Sequence, residues 1–224
     1  MLRAFSTAAT GMAAQQTQVD VIANNLANVN TTGFKRSQVD FKDLLYTKMI
    51  ESGMEVSAGY TAPGGLEIGN GVRVASTPRV FSAGEMENTG RKLDIALQGD
   101  GFFQVTLPNG DKRYTRDGSF HVNANGQLVT ASGYPLEPAL TLPTDARDVE
   151  IGADGSVNSV AADGTISVVG TIQLAKFPNP EGLSGEGNNL LAETPASGAA
   201  LTGTAGDAGY GSLQSGFLEK SNVQ

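Results

Sequence analysis

The chain contains no cysteine and no tryptophan, and only one histidine among its 224 residues. Without cysteine there are no disulfides, thiolate nucleophiles or cysteine-based metal sites, and the redox compartment stays open. A single histidine argues against a Ser-His-Asp triad or a zinc site. No window approaches the roughly 18 consecutive apolar residues of a membrane-spanning helix, so no direct membrane span is expected. An apolar leader is also missing. After Met1-Leu2-Arg3-Ala4-Phe5, the polar Ser6, Thr7, Thr10, Gln15 and Gln16 break up the sequence. A cleaved secretory signal is therefore not expected, and any export must use another route. Basic residues are outnumbered, 15 against 23 acidic, for a formal charge of −8. Nucleic-acid binding needs a basic footprint, so no nucleic-acid partner is expected. Glycine, at 29 residues, is well above its usual share of about 7% and suits many tight turns between short strands.

What is present begins with a heptad. Phe5, Met12, Val19 and Leu26 fall seven apart, and Ala8, Gln15, Ile22 and Val29 follow each by three. This spacing predicts one helix over residues 1–30 with an apolar seam of Phe5, Met12, Val19, Ile22, Leu26 and Val29. Gly11 is its weak point, at about 1 kcal/mol relative to alanine. Asn28, Asn30, Thr31, Thr32 and Gly33 supply stop chemistry. A lone helix cannot bury such a seam against itself. At ~1.5 to 3 kcal/mol per large side chain, leaving six exposed forgoes about 9 to 18 kcal/mol. The segment is therefore expected to be frayed alone and ordered against another helix.

A short helix is predicted from Phe34 to about Tyr46, then a loosely extended excursion from Thr47 to Asn70. From Gly71 the period changes to two: Val72 and Val74, Val80, Leu93 to Leu97, Phe103 to Leu107, Phe120 and Val122. Asn109-Gly110, Asn125-Gly126, Asp154-Gly155 and Asp163-Gly164 supply hairpin turns. The expected organisation is a helix over 1–33, a linker and extended stretch over 34–71, a β-rich domain over 72–211 and a return segment over 212–224. The fold class is mainly β with an N-terminal helical heptad segment.

The sequence offers no catalytic, cofactor or metal set, and no enzyme is expected. His121 lies between Phe120 and Val122 and reads as a surface strand residue. His121 to Gly126 lacks the first-position Asp of a calcium loop and carries Ser132 at the twelfth, so a hairpin fits better. Asp94, Asp100, Asp117 and Glu137 could pair for glycoside hydrolysis only at a spacing that sequence does not fix. A secreted cell-wall glycosidase is the distant alternative. Gly99-Asp100-Gly101-Phe102-Phe103 lacks a third glycine and a following helix, and reads as a turn into a strand.

Ala23-Asn24-Asn25-Leu26-Ala27-Asn28-Val29-Asn30-Thr31-Thr32-Gly33-Phe34-Lys35 resembles the N-terminal signature of the flagellar rod and hook family. Gly99 to Val105, Tyr114 to Phe120 (Tyr-Thr-Arg-Asp-Gly-Ser-Phe) and Asn125 to Val129 resemble its β-domain motifs. Leu218-Glu219-Lys220-Ser221-Asn222-Val223 resembles the approach to its C-terminal helix. Residues 46–65 resemble the stretch that marks distal rod subunits, with a proximal rod or hook subunit as the alternative. The resemblance implies a self-assembling helical tube crossing the periplasm in the basal body, touching proximal rod and hook subunits and the surrounding rings. It implies delivery through the flagellar export apparatus without a cleaved signal, and Phe41 with Leu45 resembles an export-recognition pair, a local i,i+4 packing pair being the other reading. The family ends in a second heptad helix. Nothing follows Gln224, so that helix is expected to be missing from this chain, which as given is expected not to polymerise.

Overall fold

The computed structural model describes residues 2–53, 55–57, 60–61, 63–143 and 146–223. It has one α-helix, Leu2–Ala27, and a β-rich remainder, with no further α-helix among the described residues. The chain divides into two compact units, Met1–Leu26 with Ser37–Pro78, and Ala27–Arg36 with Arg79–Gln224.

The first unit holds the helix and a long antiparallel ribbon. Asp40–Asp43 pairs with Val72–Ser76, with Phe41 opposite Val74. Thr47–Ile50 pairs with Leu66–Ile68, and Glu55–Ser57 with Tyr60–Thr61. The short helix expected over 34–46 is therefore replaced by a strand, and much of the excursion over 47–70 is a paired ribbon. Local composition gave no warning, because the partner of Asp40–Asp43 lies about thirty residues further on, and non-local pairing overrides weak local preference. The helix also ends earlier than its apolar spacing suggests, and Val29 lies in the turn beyond it.

The helix presents small and polar residues to its own unit. Ala14 is buried, and Thr7, Thr10, Gly11, Gln18, Val21 and Asn25 are partly buried. Thr10 Oγ1 accepts a bond from Val72 N at 3.4 Å, and Arg3 Nη2 donates to Thr47 Oγ1 at 2.6 Å. Gly71, at φ 109°, lies so close to Thr10 that a Cβ there would collide with the threonine hydroxyl.

The second unit is built on a six-stranded antiparallel sheet in the order Ser184–Gly187, Leu190–Ala192, Lys112–Thr115, Phe102–Thr106, Gln173–Lys176, Leu201–Thr204. A three-stranded sheet, Ala146–Ile151, Ser156–Ala161 and Ile166–Thr171, turns at the two Asp-Gly pairs. Phe120–Val122 pairs with Leu128–Thr130 across the Asn125-Gly126 turn. The last strands return into this unit: Ser212–Ser215 pairs with Ile95–Gln98, and Phe217–Glu219 with Met86–Asn88. The main core gathers Ile95, Leu97, Phe103, Val105, Phe120, Leu128, Ile172 and Leu174, all fully buried. Phe102 points the other way, into a second cluster with Tyr114, Phe177, Leu183 and Leu191. The Phe-Phe pair thus serves two cores from one central strand, as side-chain alternation requires.

Candidate assembly surface and its anchorage

The seam residues are on the outside. Phe5 is 72% exposed, Met12 68%, Val19 62%, Ile22 54% and Leu26 66%. They form a stripe on the helix flank away from Thr7, Thr10, Ala14 and Asn25, so this helix is amphipathic in the inverted sense. Val29 is 37% exposed, but belongs to the turn after the helix. Covering five such side chains to their remaining extent would contribute roughly 5 to 10 kcal/mol per subunit.

The signature residues fall into two groups. In the first unit, Asn25 makes a reciprocal pair with Ser37: its Nδ2 donates to Ser37 O at 2.8 Å, and its Oδ1 accepts from Ser37 N at 2.9 Å. Asn24 and Leu26 are exposed, as is Ala27, where the second unit begins. In the second unit, Thr31 Oγ1 bonds Asn28 Oδ1 at 3.1 Å, Phe34 N donates to Thr31 O at 3.3 Å, and Thr32 Oγ1 donates to Asp117 Oδ1 at 3.0 Å. Gly33 N donates to the Glu219 carbonyl at 2.8 Å. A Cβ at Gly33, whose φ is +66°, would lie 2.6 Å from Asp117 N and 2.7 Å from Arg116 C. Only glycine fits both that conformation and that approach.

Around Gly33 three motifs far apart in sequence meet at a buried ion cluster. Lys35 Nζ lies 2.6 Å from Glu219 Oε1 and donates to Ser82 O at 2.7 Å. Gly84 N donates to the same Glu219 oxygen at 2.9 Å. Arg116 Nη1 stands 3.7 Å from Glu219 Oε2, and the guanidinium lies 5.3 Å from the centroid of the Phe102 ring. Asn222 completes the closure: its Oδ1 accepts from Arg36 N at 2.8 Å, and its Nδ2 donates to Val80 O at 2.8 Å. Burial lowers the Lys35 ammonium below its ordinary pKa, the attraction of Glu219 offsetting this in part, and burial lowers Arg116 too. The cluster ties the signature segment to the returning strand Phe217–Glu219. Each residue stands in a motif visible in the sequence, but only the fold brings the three together.

The other singled-out residues are dispersed. Phe41 is 38% exposed in its strand, and Leu45, beyond the strand end, is 89% exposed, so the pair does not share a helix face. His121 is exposed, its Nδ1 3.0 Å from Arg91 Nη2. Asp94 is buried and accepts from Thr89 Oγ1 at 2.6 Å. Asp117 caps Ser119 N at 3.0 Å. Glu137 pairs with Lys112 at 3.2 Å, and Asp100 with Lys176 at 3.6 Å. Each carboxylate is thus engaged in local bonding of its own. No helix among the described residues is long and apolar enough to cross a membrane.

The profile of the family described as flagella basal body rod protein matches residues 5–35, and that of the flagellar hook protein FlgE/F/G D1 domain matches residues 96–160. The flagellar basal-body rod protein FlgG of Buchnera aphidicola subsp. Schizaphis graminum is 46% identical over 96% of this chain and 83% of its own length. The FlgG proteins of Borreliella burgdorferi and Caulobacter vibrioides are 43% and 44% identical, over 100% and 99% of this chain and 85% and 86% of their own lengths. A flagellar hook protein FlgE of Helicobacter mustelae is 44% identical over 61% of this chain and 30% of its own length.

Proposed function

The chain belongs to the flagellar basal-body rod protein family, and on that premise we propose that it is a subunit of the distal rod, whose copies stack into the tube that carries torque from the motor to the hook. The observation that carries this reading is the exposed stripe of Phe5, Met12, Val19, Ile22 and Leu26 on the Leu2–Ala27 helix. A monomer gains nothing from it, whereas helices of neighbouring copies packed knob into hole would bury it. The β unit, with its two closed cores, stiffens the tube. Its partners are further copies of itself, the proximal rod and hook subunits at its ends, the rings around it and the export apparatus that delivers it, and its work is mechanical, not catalytic. That the rod relatives align along essentially the whole chain, and the hook relative along a smaller part, favours rod over hook. Electron microscopy of basal bodies from a strain lacking the gene tests the assignment. A short rod without a hook is the expected result. A full-length rod lacking only its hook would reassign the subunit to the hook, and intact basal bodies would overturn the structural reading.

A further inference from the structure

A cavity of about 230 Å³ opens in the second unit beside the buried ion cluster, walled by Phe81, Phe102, Phe177, Pro178 and Pro180, with Arg116 as its buried polar group. The walls are preformed. Phe81 and Phe102 meet edge to face at 5.4 Å, Phe102 and Phe177 at 5.8 Å, and Tyr114 braces Phe177 at 4.7 Å. Arg116 is only 6% exposed, and its Nε and Nη1 make no hydrogen bond among the described residues. A buried guanidinium with unused donors is costly unless an acceptor reaches it. The acid beside it, Glu219, already gives Oε1 to Lys35 and Gly84 and stands 3.7 Å off through Oε2. Two buried cations thus face one buried carboxylate. At the rim, Asp100 lies 3.6 Å from Lys176 with its own side chain 76% exposed and also attracts Arg116, so around the cavity three cations, Lys35, Arg116 and Lys176, face two carboxylates, Glu219 and Asp100.

We propose that this cavity receives a carboxylate carried beside an apolar side chain, supplied by a second copy of the chain. Size argues for a side chain: sites for small molecules usually run to ~300 to 1,000 Å³. Charge argues for a copy of the same protein. With 23 acidic residues against 15 basic, identical neighbours meet with like excess charge, and a dry cationic pocket is a place where one subunit's surplus acid lowers the repulsion between them. Bidentate bonding to a guanidinium fixes orientation as well as charge, and the phenylalanine walls exclude water from the pair. The inference rests on the polymeric reading above and adds a contact to it.

The test places a photo-reactive benzoylphenylalanine at exposed Pro178, on the rim, and in a parallel strain at exposed Gln16, flanking the seam, in the full-length subunit in cells that build flagella. Basal bodies are irradiated and cross-linked peptides identified by mass spectrometry. The expected result is a subunit-to-subunit link from both sites, with an Asp or Glu next to an apolar residue in the peptide captured at Pro178. Changing that acid to its amide should then lower the Pro178 yield several-fold and leave the Gln16 yield unchanged. Links from Gln16 alone, a captured peptide without an acid, a different protein at Pro178, or indifference to the amide change would each overturn the proposal and leave the rod reading standing. Loss of copy-to-copy links at both sites would overturn the rod reading, and this inference with it.

Discussion

Replacing Glu219 with glutamine keeps the shape of the side chain and removes the buried carboxylate that Lys35 and Arg116 share in the ion cluster. Glu219 is 2% exposed, Lys35 5% and Arg116 6%, so solvent offers little screening to the two cations left behind. Breaking a buried pair by deleting one partner costs about 3 to 5 kcal/mol. For a unit of about 150 residues, at roughly 2 to 4 °C per kcal/mol, this lowers the melting temperature by about 6 to 20 °C. Lys35→Met is expected to cost less, about 1 to 2 kcal/mol, because Glu219 keeps Arg116 and Gly84 while only the lysine's own hydrogen bonds are lost. The two variants also differ with pH. Burial holds the folded Lys35 pKa below its ordinary value of 10.5, so between those two values the unfolded chain binds the extra proton. Stability from this group therefore rises as pH climbs through that window toward about 10.4, and the rise is absent in Lys35→Met. Thermal melts of the purified chain, followed by near-ultraviolet circular dichroism of Tyr114 and its neighbours, read all of this. Equal costs for the two variants, or a Glu219→Gln loss below about 1 kcal/mol, would refute the assignment of Glu219 as the hub.

Val19→Asp changes a side chain that is 62% exposed, so the purified chain should melt within about 0.5 kcal/mol of the parent, while full-length subunits carrying it fail to build rods by electron microscopy; normal rods would remove the seam from the assembly. Gly33→Ala forces a Cβ to within 2.6 Å of Asp117 N at a φ of +66° and should destabilise the second unit by at least about 1 to 3 kcal/mol in denaturant titration; an unchanged midpoint would mean that the turn relaxes freely. Phe41→Ala tests export recognition, with secretion expected to fall while the melt of the second unit is unchanged. Normal secretion would assign Phe41 to its strand contact with Val74 alone.

Much of the second unit was legible because its strands have one buried face and tight turns. Asn125-Gly126 marks the hairpin that forms between Phe120–Val122 and Leu128–Thr130, although of the alternating pair only Phe120 is buried and Val122 is 41% exposed. The central strand was legible in only one of its faces: Phe103 and Val105 alternate as expected, while Phe102 and Gln104 are buried too, because a second cluster covers the other side of the sheet. The strand at Asp40–Asp43 does not show in the sequence because a mixed charged and apolar segment carries neither period strongly, and its partner at Val72–Ser76 supplies the decision from a distance. The heptad count continues past Ala27 and takes in Val29, although the polar residues from Asn28 on offer the backbone a turn. Lys35, Arg116 and Glu219 show the remaining limit. Each is unremarkable locally, and burial of three charges together is a property of the fold.

The distribution of apolar side chains separates two tasks. The large ones that close the β unit, such as Phe103, Phe120 and Leu174, are fully buried within it, so that unit has what it needs to fold by itself. The helix has the reverse arrangement, with alanine and threonine against its own ribbon and its large apolar residues outward. Intrachain contacts of that kind are small, and a helix in a protein takes most of its stability from packing an amphipathic face, with Gly11 subtracting about 1 kcal/mol relative to alanine. Moving leucines to its inner face would steady the monomer, but would also order the helix before any neighbour is present. Leaving the apolar stripe unsatisfied keeps most of the helix's stabilisation for the moment of contact with another helix, at roughly 5 to 10 kcal/mol per subunit. If copies pack through this stripe as proposed, order in the helical layer is expected to follow assembly, while order in the β unit precedes it.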